Sequence, residues 1–279
     1  MVELDRKQDQ LLASLRELES CAVAYSGGVD SAVVAKAAFL ALGKQAIAVT
    51  GVSFSLAAGE LEAAAKIARL IGIEHRVIQT SEFAQEGYTR NAPDRCYHCK
   101  TELYTQLEQL LPQLGVATIV NGANADDVGD YRPGMQAAGE HRVHSPLLEC
   151  GITKSEVRQL ASRWGLPVWD KPASPCLSSR VAYGQEVNPQ RLAMIDRAEQ
   201  FLRQHAFRIC RVRYLGGDVA RIEVPLAEVA RLCEPPLREA VEAELLRLGF
   251  RSITIDPAGF RSGSLNELIQ LNAPPRAGG

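Results

Sequence analysis

Short apolar segments alternate with helical segments through the first half of the chain, and no other feature constrains the fold as strongly. Four segments have the length and composition of buried strands: residues 21–25, 45–50, 75–79 and 118–121. Segments with helical periodicity surround them: residues 4–18, 32–42, 59–71, 101–114 and 154–164. This alternation predicts an α/β fold, in which a parallel sheet carries helices on both faces.

The pattern changes near residues 170–175, where two prolines and a serine indicate a linker or an active-site loop. The remainder combines helices and strands: helices at 191–205 and, with a break at Pro235-Pro236, at 226–248; strands at 209–214, 220–224 and 252–256; and a hairpin signal at 216–218. We therefore predict a first domain at 1–170, a smaller C-terminal α+β domain at 171–271, and a disordered tail at 272–279.

The overall charge is balanced, with 31 Lys and Arg against 33 Asp and Glu, so it provides no general attraction to nucleic acid. No apolar run has the length of a membrane span, and the charged N-terminus lacks the features of a signal peptide. We expect a cytoplasmic protein with no membrane or nucleic-acid partner. The seven cysteines are then better explained by metal binding or catalysis than by disulfides.

A glycine-bearing turn follows the first strand and precedes a helix. Gly27 and Gly28 let backbone N–H groups approach a phosphate closely, and Ser26 and Ser31 add hydroxyl donors. The helix that follows points its positive end at the same place. Asp30 fits beside a phosphate if Mg²⁺ lies between them. The turn therefore predicts a site for ATP and Mg²⁺; a plain strand-to-helix turn is the weaker alternative.

A second polar loop follows the fourth strand, and such loops hold ligands at the carboxyl ends of parallel strands. Asn124 and Arg132 are candidates for binding ATP, and Asp127 and Asp130 for holding Mg²⁺ together with Asp30. Lys100 is a candidate for the ATP phosphates. The alternatives are a solvated loop and, for Lys100, a surface position.

Cys176 lies in a polar loop close to Arg180, which favours a functional thiol over an inert one. Cys96 and Cys99 form a C-x-x-C motif. With Cys176 they make three thiolates, which could hold a [4Fe–4S] cluster with one open iron. The alternatives are an unliganded pair at a helix start and, less favoured, zinc with His98.

The other cysteines carry weaker signals. Cys21, Cys210 and Cys233 are predicted to be small buried apolar residues, and Cys150 has no assigned role.

Three arginines are candidates for binding an anionic substrate: Arg180, Arg211 and Arg213. Arg211 and Arg213 alternate along one strand, so both point to one face. A solvated strand face explains this pair equally well.

The turn Ser26-Gly-Gly-Val-Asp-Ser31 resembles the SGGxDS signature of the PP-loop ATPases, which cleave ATP between its α- and β-phosphates. Together with further segments the chain is similar to the LarE family of ATP-dependent sacrificial sulfur transferases. Those further segments are residues 94–100, 121–134, 172–180 and 211–213.

This resemblance implies a reaction on pyridinium-3,5-biscarboxylic acid mononucleotide. ATP adenylates one carboxylate, the thiolate of Cys176 displaces AMP, and cleavage of the cysteine Cβ–S bond leaves a thiocarboxylate and dehydroalanine. Nickel then joins the dithiolated product to make the lactate racemase cofactor, which implies hand-off to a nickel-inserting enzyme. The resemblance also implies a homo-oligomer, such as a hexamer.

Four other functions remain open at this point. One is delivery of sulfide by a [4Fe–4S] cluster on Cys96, Cys99 and Cys176, as in some related PP-loop enzymes. The others are thiolation of tRNA, amide formation with ammonia, and nucleotide sensing without catalysis.

Overall fold

The computed structural model describes residues 2–128, 133–172 and 174–261, which form two compact units. The first unit contains the described residues up to Gln85 and those from Asp94 to Ser174. The second contains Glu86–Pro93 and the described residues from Pro175 onward. The tail predicted at 272–279 lies outside the described residues.

The helices, in chain order, are α1 Val2–Glu17, α2 Val29–Leu42, α3 Glu60–Ile71, α4 Glu86–Thr89, α5 Arg95–Leu114, α6 Pro133–Glu140, α7 Pro146–Glu149, α8 Lys154–Arg163, α9 Pro189–Gln204, α10 Leu226–Leu232 and α11 Pro235–Arg247. The strands are β1 Cys21–Ala24, β2 Ala46–Val52, β3 Glu74–Gln79, β4 Thr118–Val120, β5 Arg211–Leu215, β6 Val219–Glu223 and β7 Ser252–Ile255.

The first unit contains a parallel sheet with the strand order β3-β2-β1-β4. Successive side chains of β1 point to opposite faces, so the strand contributes to two cores. Cys21 and Val23 pack with the alanines of α2, whereas Ala22 packs with Tyr104 and Leu107 of α5. Helices therefore cover both faces, and the predicted α/β class is confirmed.

The loops after β1 and β4 lie at the same edge of this sheet. Val23 pairs in register with Val120, and both strands run in the same direction. Because β1 and β4 are adjacent, the loops that follow them are brought together.

The second unit contains a three-stranded sheet with the order β5-β6-β7. Strands β5 and β6 form the predicted antiparallel hairpin, and β7 pairs with β6 in parallel. The break predicted within the helical segment 226–248 is confirmed, since this segment is divided into α10 and α11. Pro235 opens α11, where its missing N–H costs no helical hydrogen bond.

Two local predictions were wrong. The helix expected from residue 101 begins at Arg95, so Cys96 and Cys99 lie in its first turns. The segment Arg-Cys-Tyr-His-Cys-Lys has no apolar periodicity that could have indicated this. Cys233, expected to be buried, is exposed because α10 ends there.

Within the described ranges, no helix combines the length and the apolar composition that crossing a bilayer requires.

Candidate active site

The glycine turn after β1 packs against α3. Gly27 has φ +71°, and a Cβ there would lie 2.7 Å from the Cβ of Ala64. Only glycine therefore satisfies both the backbone angle and the space. The N-cap of α2, Gly28, provides no side-chain cap, which leaves the helix start open to a ligand.

The two serines of the turn hold its shape. Their hydroxyls lie 3.1 Å apart, and the Ser31 hydroxyl donates to the carbonyl of Gly28 at 3.1 Å. The Gly28 amide donates to the Ser26 hydroxyl at 3.3 Å. The turn is thus closed by its own side chains before any ligand binds.

Asp30 is the centre of a polar cluster at the sheet edge. The amide of Asn124 donates to Asp30 Oδ1 at 3.2 Å, and Lys154 Nζ forms an ion pair with Asp30 Oδ2. Asn124 is buried, while Asp30 and Lys154 are partly exposed. The structure thus brings together the two loops that the sequence assigned to one site.

Sequence reasoning missed Lys154, although it carries a signal. It is the first residue of α8, where the helix dipole disfavours a cation. A lysine at that position indicates a nearby acid or anionic ligand, and Asp30 is that acid.

Gly122 explains how closely the second loop approaches the first. A Cβ at Gly122 would lie 2.8 Å from the backbone nitrogen of Ser31. Asp127 closes a capping box with Asn124, whose backbone N–H donates to Asp127 Oδ2 at 2.9 Å. Two further candidates of this loop, Asp130 and Arg132, lie outside the described residues.

Asp30 is the predicted Mg²⁺ ligand of this cluster, and its two oxygens already contact Asn124 and Lys154, so this role stays a prediction. The ion is usually bound by one or two carboxylates together with substrate phosphates, and Asp30 provides one carboxylate beside the turn. Asp127 already accepts a backbone hydrogen bond, so its predicted role as a Mg²⁺ ligand stays a prediction.

Thr50 and His75 support the backbone just before the glycine turn, and neither residue was predicted from the sequence. The Thr50 hydroxyl donates to the carbonyl of Tyr25 at 2.8 Å and lies 2.8 Å from His75 Nε2. Because Thr50 has one hydroxyl proton, His75 Nε2 must be the donor in the second bond. Burial and the nearby charge of Arg69 lower the pKa of His75, which favours its neutral form.

The C-x-x-C motif lies at the start of α5. Cys96 is exposed and Cys99 half-buried, and Lys100 Nζ lies 5.9 Å from the ring centre of Tyr104. Among the residues that the structure describes, no group of three or more His, Cys, Asp or Glu side chains is placed to hold a metal ion. Because Cys96 and Cys99 belong to the first unit and Cys176 to the second, the [4Fe–4S] cluster stays a prediction.

Cys176 belongs to the second unit and is exposed. It precedes a short 3₁₀ turn, Leu177–Arg180. Its carbonyl accepts hydrogen bonds from the Ser179 hydroxyl at 2.7 Å and from Arg180 Nη1 at 2.9 Å. Arg180 also donates to the carbonyl of Pro175. The backbone of the cysteine is therefore held while its thiol remains accessible.

Arg180 is itself held by a buried carboxylate. Its Nε lies 3.0 Å from Glu199 Oε1, and their side chains are 2% and 0% exposed. The same Glu199 oxygen accepts from the backbone N–H of Val212 at 3.1 Å. Sequence reasoning missed Glu199, although an acid within the apolar stripe of α9 indicates a buried partner.

Arg213, like Arg180, is paired with a buried carboxylate. It lies 2.9 Å from Glu223 Oε2 and donates to the Ser179 carbonyl at 3.1 Å. Arg180 and Arg213 thus already have carboxylate partners within the protein. That these two arginines bind substrate stays a prediction.

Arg211 is less buried than Arg213. Its guanidinium donates to the carbonyl of Cys210 at 2.8 Å and lies 5.3 Å from the ring centre of Phe260. Burial, followed by the charge of Arg180, lowers the pKa of Arg211. That Arg211 binds substrate stays a prediction.

The segment Glu86–Pro93 also holds the cysteine loop. The hydroxyls of Tyr88 and Ser178 lie 2.6 Å apart in the interior. Asn91 donates to the carbonyls of Ala182 and Gln185, both at 2.9 Å. Residues that follow Cys176, from Ser178 to Gln185, are therefore held by the buried side chains of Tyr88 and Asn91.

Known proteins resemble the chain over nearly all of its length. An uncharacterized protein of Synechocystis sp. is 44% identical over 95% of this chain and 99% of its own length. A pyridinium-3,5-bisthiocarboxylic acid mononucleotide synthase of Lactiplantibacillus plantarum, a LarE protein, is 34% identical over 96% of this chain and 97% of its own length. The chain belongs to the LarE family.

A weaker likeness extends beyond the LarE family. A tRNA-specific 2-thiouridylase MnmA of Synechococcus sp. is 32% identical over 58% of this chain and 52% of its own length. No protein-family model matches the chain. The LarE relative and the parallel sheet together confirm the PP-loop fold inferred from Ser26–Ser31.

Proposed function

We propose that this chain uses ATP to adenylate a carboxylate of pyridinium-3,5-biscarboxylic acid mononucleotide and converts it to a thiocarboxylate with sulfur from Cys176. The near-full-length similarity to the Lactiplantibacillus plantarum synthase carries the choice of substrate. The accessible thiol of Cys176 on a clamped backbone supports its role as sulfur donor.

The reaction divides into three steps. The substrate carboxylate attacks the α-phosphorus of ATP, and pyrophosphate leaves. The Cys176 thiolate then attacks the activated carbonyl carbon, AMP leaves, and a thioester forms. Removal of the Cys176 Cα proton by a base breaks the Cβ–S bond, leaving a thiocarboxylate and dehydroalanine at position 176.

The turn at Ser26–Ser31 is suited to the first step. Backbone N–H groups at the start of α2 can bind the pyrophosphate portion of ATP. Asp30 would hold Mg²⁺, which neutralises charge on the phosphates when bound. Lys154 and Asn124 fix the carboxylate of Asp30, and Lys100 is a further proposed phosphate contact.

The sacrificial route needs no metal cluster. Each chain has one Cys176 and therefore delivers one sulfur atom, so two chains are consumed for a product with two thiocarboxylates. Cys96 and Cys99 have no part in this scheme, which makes Cys96→Ser a control that retains activity. Loss of sulfur transfer in that variant would favour the cluster route.

The rival functions have less support. The likeness to MnmA covers little more than half of the chain, whereas the likeness to the synthase covers nearly all of it. Amide formation and nucleotide sensing give no role to the clamped backbone of Cys176.

The test is release of pyrophosphate from ATP by the purified protein with the dicarboxylated pyridinium nucleotide. We expect pyrophosphate only when both are present. The Cys176→Ala variant should still form the acyl-adenylate but no thiocarboxylate. A wild-type protein that releases no pyrophosphate under these conditions contradicts the proposal.

The resemblance to the LarE family implies two partners. The thiolated nucleotide must pass to an enzyme that inserts nickel, and the chain is expected to form a homo-oligomer. Sedimentation of the purified protein measures the second expectation directly.

A further inference from the structure

We propose that Glu60 and Arg158 are positioning residues for the sulfur-transfer step, because their helices connect the nucleotide turn to the segment that leads into Cys176. We name residues 169–172 together with Ser174 the approach segment; Ala173 lies outside the described residues and is not part of it. This inference rests on the proposed function and adds a coupling between its two halves.

The approach segment is held by side chains of two helices. From α8, Arg158 donates to the carbonyl of Trp169 at 2.6 Å and to that of Lys171 at 3.1 Å. From α3, Glu60 accepts from Lys171 Nζ at 2.8 Å and from the Ser174 hydroxyl at 3.0 Å. Cys176 follows Ser174 by two residues. The side chains of Glu60 and Arg158 thus hold the last described part of the first unit before the cysteine.

Each of these helices also contacts the glycine turn at Ser26–Ser31, through a residue one helical turn away from Glu60 or Arg158. Four residues after Glu60, Ala64 packs against Gly27 and accepts a hydrogen bond from the Tyr25 hydroxyl at 3.1 Å. Residues four apart lie on the same face of a helix. One face of α3 therefore contacts both the turn and the approach segment.

Helix α8 also contacts both the nucleotide turn and the approach segment, but its contact with the turn comes earlier in the chain than its contact with the segment. Four residues before Arg158, Lys154 forms the ion pair with Asp30 of the turn. Helices α3 and α8 thus both connect the nucleotide turn with the approach segment. A shift of either helix when ATP fills the turn moves the approach segment with it, and by linkage the position of the segment affects the binding of ATP.

The contacts contribute little to folding. The side chains of Lys171 and Glu60 are 28% and 26% exposed, and ion pairs at that exposure stabilise a protein only weakly. Substitutions here should therefore leave the fold intact. Their effect should fall on the geometry of sulfur transfer, where a displacement of about 1 Å can cost about a hundredfold in rate.

The experiment separates the two halves of the reaction in Glu60→Gln, Arg158→Met and wild-type protein. Pyrophosphate release measures adenylation, and the mass of the peptide containing residue 176 measures sulfur transfer. At saturating ATP we expect pyrophosphate release close to wild type in both variants and sulfur transfer slower by about tenfold. The control is Arg76→Met, which removes an ion pair of 2.7 Å with Glu74 on β3 of the same unit, away from α3 and α8, and should affect neither half.

A charge exchange sharpens the test. Glu60→Lys combined with Lys171→Glu restores the ion pair but not the bond to Ser174, so it should recover part of the lost sulfur transfer. Equal loss of both half-reactions in Glu60→Gln, or no loss in either, overturns the coupling.

Hydrogen exchange distinguishes failure of this inference from failure of the proposed function. Without substrate, the amides of the approach segment should exchange severalfold faster in Glu60→Gln than in wild type or Arg76→Met. If wild type does not consume ATP, the proposed function fails while this comparison still tests the clamp. Equal exchange in all three proteins would show that Glu60 does not hold the approach segment.

Discussion

Arg180 and Glu199 form an ion pair almost completely removed from solvent, with 3.0 Å between Arg180 Nε and Glu199 Oε1. The same arginine donates to the backbone carbonyl of Cys176 at 2.9 Å. A buried acid on α9 therefore holds the backbone of Cys176 through one guanidinium. Through this pair, the second unit fixes the backbone of the loop that carries Cys176.

The Glu199→Gln variant should be markedly destabilised, since it leaves the Arg180 charge buried without a counterion. Breaking such a pair costs about 3–5 kcal/mol. Urea unfolding measures the change in the free energy of unfolding. The control is Glu244→Gln, which breaks an exposed pair with Arg247 and should change stability little. A Glu199→Gln protein as stable as this control would contradict the structural role of the pair.

Replacing Gly27 by alanine should weaken ATP binding by at least about tenfold, because the new Cβ meets Ala64 and the left-handed backbone angle is strained. Calorimetric titration with ATP measures the affinity. Gly59→Ala is the matched control: its φ is +82°, but nothing lies within 4 Å of the added Cβ. If both variants bind ATP equally well, close packing of Gly27 on α3 does not shape the site.

Asp30→Asn should lower pyrophosphate release by about a hundredfold, because the amide removes the negative charge that Mg²⁺ requires. The defect should persist at high Mg²⁺ concentration. Asp5→Asn, on the exposed face of α1, serves as the control. Full recovery by added Mg²⁺ would mean that Asp30 contributes affinity for the ion and nothing to the reaction.

Alkylation of the native protein at pH 8 should distinguish two classes of cysteine. Burial raises the pKa of the Cys21 thiol to about 12 and that of Cys210 to about 11. At pH 8 the solution lies about four units below the pKa of Cys21, so about one thiol in ten thousand is ionised. Peptide mapping should find Cys21 and Cys210 unmodified and the exposed Cys96, Cys176 and Cys233 labelled. Rapid labelling of Cys21 would contradict its burial.

Local sequence patterns predicted most of the fold because strand and helix periodicities are local properties. The turn at Ser26–Ser31 and the hairpin around Gly216 were both found in this way. The start of α5 was missed, since residues 95–100 have no apolar spacing that distinguishes a helix from a loop. The joining of Glu86–Pro93 to the second unit was also missed, because it depends on long-range bonds such as that between Tyr88 and Ser178.

The site was predicted only as far as its motifs reached. Asp30 and Asn124 come from separate loops, and the parallel register of β1 and β4 brings them together as expected. Lys154 and Glu199 belong to no motif. The role of Lys154 depends on a partner more than a hundred residues away in the chain, and the role of Glu199 depends on its burial. Such partners are set by packing, which local patterns do not encode.

The mass of the protein after one turnover with ATP and the dicarboxylated pyridinium nucleotide tests the central claim most directly. The account predicts a loss equal to one H₂S, located by peptide mapping at position 176 and absent when ATP is omitted. An unchanged mass alongside thiocarboxylate product would contradict the account, because the sulfur would then come from a source other than Cys176.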